Sequence, residues 1–520
     1  MTKTDEKEFS KYLAHNMVTN IVRTALTALI GLMLVPFFID ELGRGVYGIL
    51  PLATSITTYV VVISDELTKA FSRSLIIALH DEDKNEANKV YTTTVLGLGK
   101  VVLMLFPVIV LISYISPSIF QIGLSSAAGV QLLFIMVLSS ALLLSFSSCF
   151  NGIYMAFNRM YILYTARIAH ILLQAALILV LFFVNGASLE MVGLAHIVSG
   201  IVFFVMVWIT SRRLCPSLKI ERPNYDRAIL KEISSLGLWI ITSKLGLLMF
   251  IQASLVVVNV LLGTEEEEGF AVVANLISMT NTTCMTITTV IAPFLYRSYA
   301  ENNMDNVIKI AKASMRFIGL FIAFPIAYLC IFSSQILTAW VGGEFSYLSE
   351  IIVVMFIIQL AVCTVGILDT IPILLLKMKK IAFLTLTVGV ANIIFAIIAV
   401  EVIGMGTMGV AAAWALSMFI LNVLLYPLAI AKMTQSGRAV YLMPMIPGHI
   451  AFVICLVLWW ASTYFFTLPA TWMAILGLFF PAFVLYLVAA MALGLKREDK
   501  DMMRRVMPGR IARLIPRWML

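Results

Sequence analysis

Fourteen apolar runs, each about as long as a membrane-crossing helix, constrain this chain more than any other feature of its sequence. A helix needs about 20 predominantly apolar residues to cross the hydrocarbon core of a bilayer. The runs lie at residues 17–38, 46–67, 93–115, 129–151, 162–184, 191–210, 236–262, 270–295, 314–335, 350–375, 380–400, 407–430, 446–467 and 470–494. We therefore predict an all-α polytopic membrane protein with about 14 transmembrane helices.

The composition supports the same class of protein. Only 12% of the 520 residues are charged and 61% are hydrophobic, whereas ordinary soluble domains carry about 25% charged residues. A chain so poor in charge cannot cover a water-facing surface, so the bilayer must be its main solvent. The six cysteines mostly fall inside apolar runs and form no CxxC pair. This pattern predicts reduced core residues and no metal site.

The distribution of positive charge predicts the orientation in the membrane. With the N-terminus in the cytoplasm, nearly all lysines and arginines outside the apolar runs fall on the cytoplasmic side, and Arg44 lies in an outer segment. This is the positive-inside pattern, so the net charge of +8 reflects orientation rather than nucleic-acid binding. We expect both termini in the cytoplasm and an uncleaved first helix, because the first run is longer than a signal-peptide core. The acidic run Glu265–Glu268 is predicted to be a solvated outer hairpin without a site.

A weak internal repeat divides the chain into two halves. Arg23 precedes Gly43 by 20 residues, and Lys244 precedes Gly263 by 19. Two six-helix units of the same orientation would form a parallel repeat about an axis normal to the membrane. The predicted segments are an N-lobe at 1–210 (helices 1–6), a cytoplasmic inter-lobe linker at 211–235, a C-lobe at 236–431 (helices 7–12), helices 13–14 at 432–495, and a basic cytoplasmic tail at 496–520.

Four cationic residues within the predicted membrane helices are candidates for substrate binding. They are Arg23, Lys100, Arg167 and Lys244. A charge inside the bilayer is costly and is therefore a functional candidate. A hydrated cavity lined by cations selects an anionic substrate, and arginine suits bidentate phosphate contacts. Near helix ends the alternative stays open that such side chains only extend to the membrane surface.

Polar side chains at helical spacing predict two polar cavity walls. Asn16 and Asn20 share the face of helix 1 that carries Arg23. Asn275, Ser278 and Thr282 follow one face of helix 8. Amides and hydroxyls are the donors and acceptors that sugars need, while the alternative is a hydrogen-bonded seam between helices.

Three carboxylates are candidates for coupling transport to H⁺ or Na⁺. They are Asp65, Glu66 and Asp369, all within or at the end of a predicted helix. An ionisable residue in the membrane is a functional candidate. For Asp65 and Asp369 the alternative is an ion pair with a neighbouring lysine or arginine.

The loop after helix 1 and the segments that follow it carry a family resemblance. Residues 42–50 read Leu-Gly-Arg-Gly-Val-Tyr-Gly-Ile-Leu, and Asp65 then stands ahead of Ala70 and Arg73 and the acidic segment 81–86. With these residues the chain resembles the multidrug/oligosaccharidyl-lipid/polysaccharide exporter superfamily, and within it polysaccharide-biosynthesis flippases of the Wzx O-antigen type. The likeness covers helices 1–12 in layout and about residues 15–95 in motif. Members often have glycine after the aspartate, where Glu66 stands here.

The resemblance implies two lobes around a V-shaped central cavity that works by alternating access. The implied cargo is a polyprenyl-diphosphate-linked oligosaccharide, moved from the cytoplasmic to the outer leaflet of the inner (cytoplasmic) membrane for O-antigen, capsule or exopolysaccharide synthesis. Membrane lipids, a polysaccharide polymerase and glycosyltransferases are the implied partners, with no cofactor. In related lipid-diphosphate flippases, helices 13 and 14 shape a groove for the lipid tail.

Three other functions compete with this interpretation. A drug/cation antiporter of the same superfamily would favour carboxylates over cations in its cavity. A flippase for the peptidoglycan precursor would share the fold. A membrane glycosyltransferase or polymerase would need a large outer loop or catalytic carboxylates there, and the chain contains neither a GxxxxGK[ST] phosphate loop nor an HExxH motif. We therefore expect a transporter and not an enzyme.

Overall fold

The chain folds into long helices joined by short turns. The structure, a computed structural model, describes residues 3–43, 45–61, 75, 79, 84–123, 125–375 and 377–500. Within these ranges there is no β-strand. The predicted all-α fold is therefore confirmed.

The described residues contain fourteen principal helices. They are α1 (Lys3–Leu42), α2 (Ile49–Val61), α3 (Lys84–Ile119), α4 (Ala127–Ala156), α5 (Met160–Asn185), α6 (Leu189–Leu214), α7 (Arg227–Leu262), α8 (Thr264–Ala300), α9 (Met304–Ile331), α10 (Gly343–Leu374), α11 (Met378–Val402), α12 (Gly406–Met433), α13 (Met443–Ser462) and α14 (Trp472–Gly494). Thirteen are long and apolar enough to cross a membrane, and α2 is apolar and described as far as Val61. Each predicted apolar run overlaps one of these helices within the described residues.

Several helices extend beyond the apolar runs that predicted them. Helix α6 continues to Leu214 and α7 begins at Arg227, and the segment between them contains one 3₁₀ turn, Arg222–Asn224. Hydropathy detects only the part of a helix that lies in hydrocarbon, and polar turns can continue the helix on either side. The linker predicted at 211–235 therefore includes the ends of both helices, and its bounds stay a prediction.

Contacts between residues divide the chain into two compact units, Met1–Glu268 and Gly269–Leu520. The first contains α1–α7 and the first turn of α8, and the second contains the rest of α8 and α9–α14. By this division α7 groups with α1–α6. The lobes proposed at 1–210 and 236–431 follow the sequence repeat instead, and they stay a prediction.

Close helix packing forms the core of the first unit. A Cβ atom at Gly200 of α6 would lie 2.5 Å from Oγ of Ser140 on α4, so a larger residue at 200 would displace the Ser140 hydroxyl. Small residues serve membrane helices in this way because they let backbones come close. Tyr91, Phe150 and Phe203, all fully buried, fill the space between α3, α4 and α6.

The last two helices pack on α9 in the second unit. A Cβ atom at Gly448 of α13 would lie 2.9 Å from Cα of Gly319 on α9. The hydroxyl of Tyr486 on α14 donates to the carbonyl oxygen of Leu320 at 2.6 Å, and that of Tyr328 on α9 donates to Ile475 at 2.9 Å. Helices α13 and α14 are thus integral to this unit.

Candidate functional site

Arg23 lies on α1 and is held by polar groups of its own helix. The side-chain oxygen of Asn20 accepts hydrogen bonds from Nε at 3.2 Å and Nη2 at 2.9 Å. The guanidinium lies 5.7 Å from the centre of the Tyr164 ring on α5. Arg23 forms no ion pair with any carboxylate in the described ranges. Its positive charge is therefore oriented but not neutralised by these neighbours.

Asn16 joins α1 to the start of α5. Its side-chain oxygen accepts a hydrogen bond from the backbone N–H of Tyr161 at 2.7 Å. Its side-chain nitrogen donates to the backbone and side-chain oxygens of Asn158, at 3.0 and 2.9 Å. The first N–H groups of a helix lack partners within the helix, and Asn16 supplies one. The side-chain amide of Asn16 is therefore hydrogen-bonded to Asn158 and to the start of α5. A role for Asn16 in a cavity wall stays a prediction.

Lys244 lies on α7 and is partly exposed. It has no hydrogen bond, ion pair or ring contact with any other residue that the structure describes. Near it, the hydroxyl of Tyr59 on α2 lies 3.5 Å from the carbonyl oxygen of Leu248 on α7, at the limit for a hydrogen bond. Like Arg23, it is a positive charge on a membrane helix without a described acidic partner.

Lys100 contacts the segment between α6 and α7. Its Nζ lies 4.0 Å from the centre of the Tyr225 ring, a cation–π contact. Side chains of α3 bind the backbone of the same segment. Asn88 accepts from the N–H of Lys219 at 2.8 Å, and Thr93 accepts from that of Asp226 at 3.0 Å. The segment between α6 and α7 therefore packs along α3, and Lys100 contributes to that packing.

Arg167 lies in a polar seam between α5 and α6. Its guanidinium lies 4.3 Å from the centre of the Phe203 ring. Two turns further along α5, the amide nitrogen of Gln174 lies 2.9 Å from Nε2 of His196 on α6. The seam continues to α4, where the hydroxyl of Ser140 donates to the carbonyl oxygen of His196 at 2.7 Å. Whether Arg167 also contacts substrate stays a prediction.

Helix α8 has two polar faces. Ser278 and Thr282 are exposed and Asn275 is partly exposed. The hydroxyl of Thr282 donates to the carbonyl oxygen of Ser278 at 2.8 Å, which leaves its lone pairs free to accept. Asn281 faces α10, where its side-chain oxygen accepts from Gln359 at 2.7 Å. The predicted stripe is thus on the outer surface of its unit, and Asn281 lies on a different face of α8.

Asp369 forms a strong hydrogen bond within the second unit. The hydroxyl of Tyr426 on α12 donates to Oδ1 of Asp369 on α10 at 2.6 Å. Both helices are irregular here, because Asp369 ends the 3₁₀ turn Gly366–Asp369 and Tyr426 follows the π-helical segment Ile420–Leu425. Such π segments are frequent at functional sites. Asp65 and Glu66, the other two coupling candidates, lie outside the described residues.

The prediction of a solvated hairpin at Glu265–Glu268 was wrong. Gly263, at φ +102°, ends α7, and α8 begins at Thr264 without a loop. Glu265 is exposed, but Glu267 and Glu268 are fully buried. Four glutamates in a row are typical of a solvated surface. Because the run is helical, its residues point in different directions, and Glu267 and Glu268 face the protein interior. Negative charge is favoured at a helix N-terminus, which suits this position.

The two buried glutamates, here called the glutamate pair, lie against residues 45–48, here called the glycine turn. Oε2 of Glu268 accepts a hydrogen bond from the backbone N–H of Gly45 at 2.6 Å. A Cβ atom at Gly48 would lie 2.5 Å from Oε2 of Glu267. Tyr47 is buried beside them, and burial together with both glutamates raises the pKa of its hydroxyl far above the ordinary value. The glycine turn, which carried the family resemblance, is thus the partner of two residues that sequence reasoning missed.

A comparison with protein families identifies the chain. Residues 13–299 match the sequence profile of the family described as "Polysaccharide biosynthesis protein". This stretch covers more than half of the 520 residues, and it contains Arg23, Lys244, the glycine turn and the glutamate pair. The chain belongs to the polysaccharide biosynthesis protein family. The predicted resemblance to polysaccharide-biosynthesis flippases is confirmed.

Relatives of this polysaccharide biosynthesis protein align with most of its length. The chain is 22% identical over 448 residues to "Uncharacterized membrane protein EpsK" of Bacillus subtilis (strain 168), covering 85% of this chain and 88% of that protein. Its fold is similar to "Lipid II flippase MurJ, inward closed conformation", with a TM-score of 0.65, 13% identity, and 93% and 99% of the two chains covered. It is similar also to an inward-facing multidrug resistance MATE family transporter of the MOP superfamily, with a TM-score of 0.64, 13% identity, and 84% and 98% covered.

Proposed function

We propose that this polysaccharide biosynthesis protein is a flippase for polyprenyl-diphosphate-linked oligosaccharides. It moves them from the cytoplasmic to the outer leaflet of the cell membrane by alternating access, for the synthesis of O-antigen, capsule or exopolysaccharide. Family membership supports a role in polysaccharide synthesis, and the fold shared with a lipid flippase and with drug transporters supports transport.

The main support for the proposal is that Arg23 and Lys244 lack an acidic partner among the described residues. Both lie on membrane helices, and neither is paired with a carboxylate among the described residues. A charge inside a bilayer costs roughly 2.5–3.5 kcal/mol on insertion scales. An anionic ligand offsets that cost, and a diphosphate brings about two negative charges with oxygens that suit arginine.

The exposed hydroxyl face of α8 supports a sugar-bearing cargo. Ser278 and Thr282 present acceptor oxygens away from the core of their unit, and Asn275 continues the face. Sugars are recognised through many hydrogen bonds to hydroxyls and amides. We assign this face to the oligosaccharide and the cations to the diphosphate.

The proposed topology has both termini in the cytoplasm, following the positive-inside pattern. The glycine turn and the glutamate pair then lie at the outer end of their helices. Coupling to H⁺ or Na⁺ is part of the proposal, with Asp369 as a candidate, and a polymerase and glycosyltransferases are the partner proteins.

The second candidate is a drug/cation antiporter, which the fold similarity to the multidrug transporter favours. Deletion of the gene separates the two functions. A flippase deletion should accumulate polyprenyl-linked glycan on the cytoplasmic face of the membrane and lose the surface polysaccharide. A normal glycan distribution together with increased sensitivity to cationic drugs would overturn the proposal in favour of the antiporter.

A further inference from the structure

The turn between α13 and α14 exposes a cluster of large apolar side chains. These residues, here called the aromatic tip, are Trp460, Tyr464, Phe465, Phe466, Trp472 and Met473. Phe465 is 87% exposed and Met473 is 90% exposed. The rings of Trp460 and Tyr464 pack edge to face, with their centres 5.2 Å apart. Contiguous apolar surface of this kind marks contact with a membrane or with another protein.

The hairpin formed by α13, the turn and α14 carries no charged aspartate, glutamate, lysine or arginine along its length. None of these four residue types occurs within residues 439–495. By contrast, the last turn of α11 in the same unit carries the exposed Glu401. Turns that face water are normally polar. The composition of this turn therefore favours a less polar environment than bulk water.

The aromatic tip continues the exposed face of α13 without a break. Val453, Val457 and Trp460 are all more than half exposed, at spacings of four and three residues. This spacing places them on one face of the helix, and Tyr464 follows just past the helix end. Because α13 is apolar and long enough to cross a membrane, lipid covers its exposed apolar face. The same lipid-facing surface extends onto the tip.

The turn satisfies several of its own polar groups. The hydroxyl of Ser462 donates to the carbonyl oxygen of Trp459 at 2.7 Å, and that of Thr463 donates to Trp460 at the same distance. The backbone N–H of Phe465 donates to the carbonyl oxygen of Ser462 at 3.0 Å. Polar groups near hydrocarbon need partners within the protein, and these bonds supply them.

The rest of the turn needs polar partners from outside the protein. Within the described part of the chain, the backbone N–H groups of Thr467, Leu468 and Ala470 donate no hydrogen bond. An unpaired N–H group in hydrocarbon is costly, so the turn does not lie in the hydrocarbon core. The headgroup layer of a bilayer meets both needs, because it offers oxygen atoms and water to the N–H groups and apolar chains to the rings.

We propose that the aromatic tip lies in the interfacial layer of a phospholipid leaflet, with its rings between the headgroups and the upper acyl chains. Tryptophan and tyrosine are enriched at this depth because their rings are apolar with one polar end. Such residues help to set the tilt of membrane helices, here of α13 and α14. The inference goes beyond the proposed function, and only the assignment to the outer leaflet rests on the proposed topology.

Fluorescence quenching tests the position of the tip. All six cysteines are buried, so bimane reacts selectively with the new thiol of the Phe465→Cys variant. In nanodiscs of phosphatidylcholine and phosphatidylglycerol, which leave both membrane faces open to solutes, the label should show blue-shifted emission. Lipids brominated near the top of the acyl chain should quench it, and aqueous iodide should not. The control is Glu265→Cys, at an exposed position on the first turn of α8, which iodide but not brominated lipid should quench.

Two results would overturn the proposal. Quenching by iodide as strong as in Glu265→Cys, without quenching by brominated lipid, would place the tip in water. Protection of the label from both quenchers would show that protein covers the tip, and disulfide cross-linking between two Phe465→Cys chains would identify a second copy as the partner. Neither result involves transport, so the proposed function would stand or fall separately.

Discussion

The side-chain oxygen of Asn20 lies 2.9 Å from Nη2 and 3.2 Å from Nε of Arg23, one turn further along α1. This contact holds the guanidinium without neutralising it, because an amide carries no net charge. Asn20 is therefore a positioning residue for the proposed diphosphate contact.

Substitution of Asn20 separates positioning from charge. Asn20→Ala should reduce complementation of a deletion strain only in part, because Arg23 keeps its charge. Asn20→Asp should reduce it more, because a carboxylate within hydrogen-bond distance of Arg23 competes with the diphosphate. Surface polysaccharide per molecule of membrane-inserted protein measures both effects.

Thr27→Ala is the matched control for Asn20. Thr27 is one turn beyond Arg23, and its hydroxyl donates to the carbonyl oxygen of Arg23 at 2.8 Å rather than to the guanidinium. Wild-type complementation is expected. If Asn20→Asp matched wild type, the charge of Arg23 would not be used.

Sequence spacing placed Asn20 and Arg23 on one face of α1 but did not predict the environment of Arg167. Asn20 and Arg23 are three residues apart on one helix, so they must share a face. The ring that covers Arg167 belongs to Phe203 of α6, and the rotation of one helix against another cannot be derived from periodicity within either. The helices themselves were predictable because hydrocarbon demands long apolar runs.

The burial of the glutamate pair could not be predicted from the local sequence. Glu267 and Glu268 stand in a run of four acidic residues, a pattern typical of a solvated surface. Their burial depends on the glycine turn, more than 200 residues earlier in the chain. A nearby clue was Gly263, because a glycine followed at once by an acidic run can end one helix and begin the next.

Replacement of Gly48 tests the close packing of the glycine turn. Gly48→Ala should destabilise the protein by about 1–3 kcal/mol, the usual cost of forcing extra atoms into a packed site. The added Cβ would meet Glu267 and Thr264 at 2.5 and 2.7 Å. Thermal unfolding in detergent measures the change.

Gly31→Ala in α1 is the control for Gly48. A Cβ atom there would meet nothing within 4 Å, so stability should stay the same or increase slightly. Equal melting temperatures for Gly48→Ala and wild type would show that the turn moves aside at no cost.

The ion pair between Arg316 and Asp499 predicts where the C-terminus can be cut. Nη1 of Arg316 lies 2.7 and 2.6 Å from the two oxygens of Asp499, and both side chains are largely buried. Breaking a buried pair costs about 3–5 kcal/mol because one charge is left without a partner. Truncation after Lys496 should therefore sharply lower the melting temperature.

Truncation after Lys500 keeps this ion pair and removes residues 501–520, which lie outside the described residues. The removed segment alternates basic and apolar residues, as in segments that lie on an anionic membrane surface. We expect lower abundance with unchanged transport per molecule, measured by membrane quantification and polysaccharide output. Lost transport at normal abundance would contradict this.

Reporter fusions test the proposed topology. Fusions at the N-terminus and after Lys500 should report the cytoplasm, and a reporter inserted beside Glu266 should report the outside, because the positive-inside pattern fixes the orientation. Insertion of a reporter within the segment 215–226 should report the cytoplasm as an internal control. A cytoplasmic signal beside Glu266 would reverse the whole map.

The most direct test of the central claim measures lipid-linked glycan in strains that carry Arg23→Ala or Lys244→Ala at native abundance. Each charge-assisted phosphate contact is worth roughly 1.5–3 kcal/mol, so loss of either cation should weaken binding by about tenfold to a hundredfold. Both variants should reach the membrane yet accumulate polyprenyl-linked glycan on its cytoplasmic face. Arg23→Lys should retain part of the activity, since the charge survives without the bidentate geometry. Full complementation by both alanine variants, with no accumulated glycan, would contradict the account and leave Arg23 and Lys244 as membrane anchors.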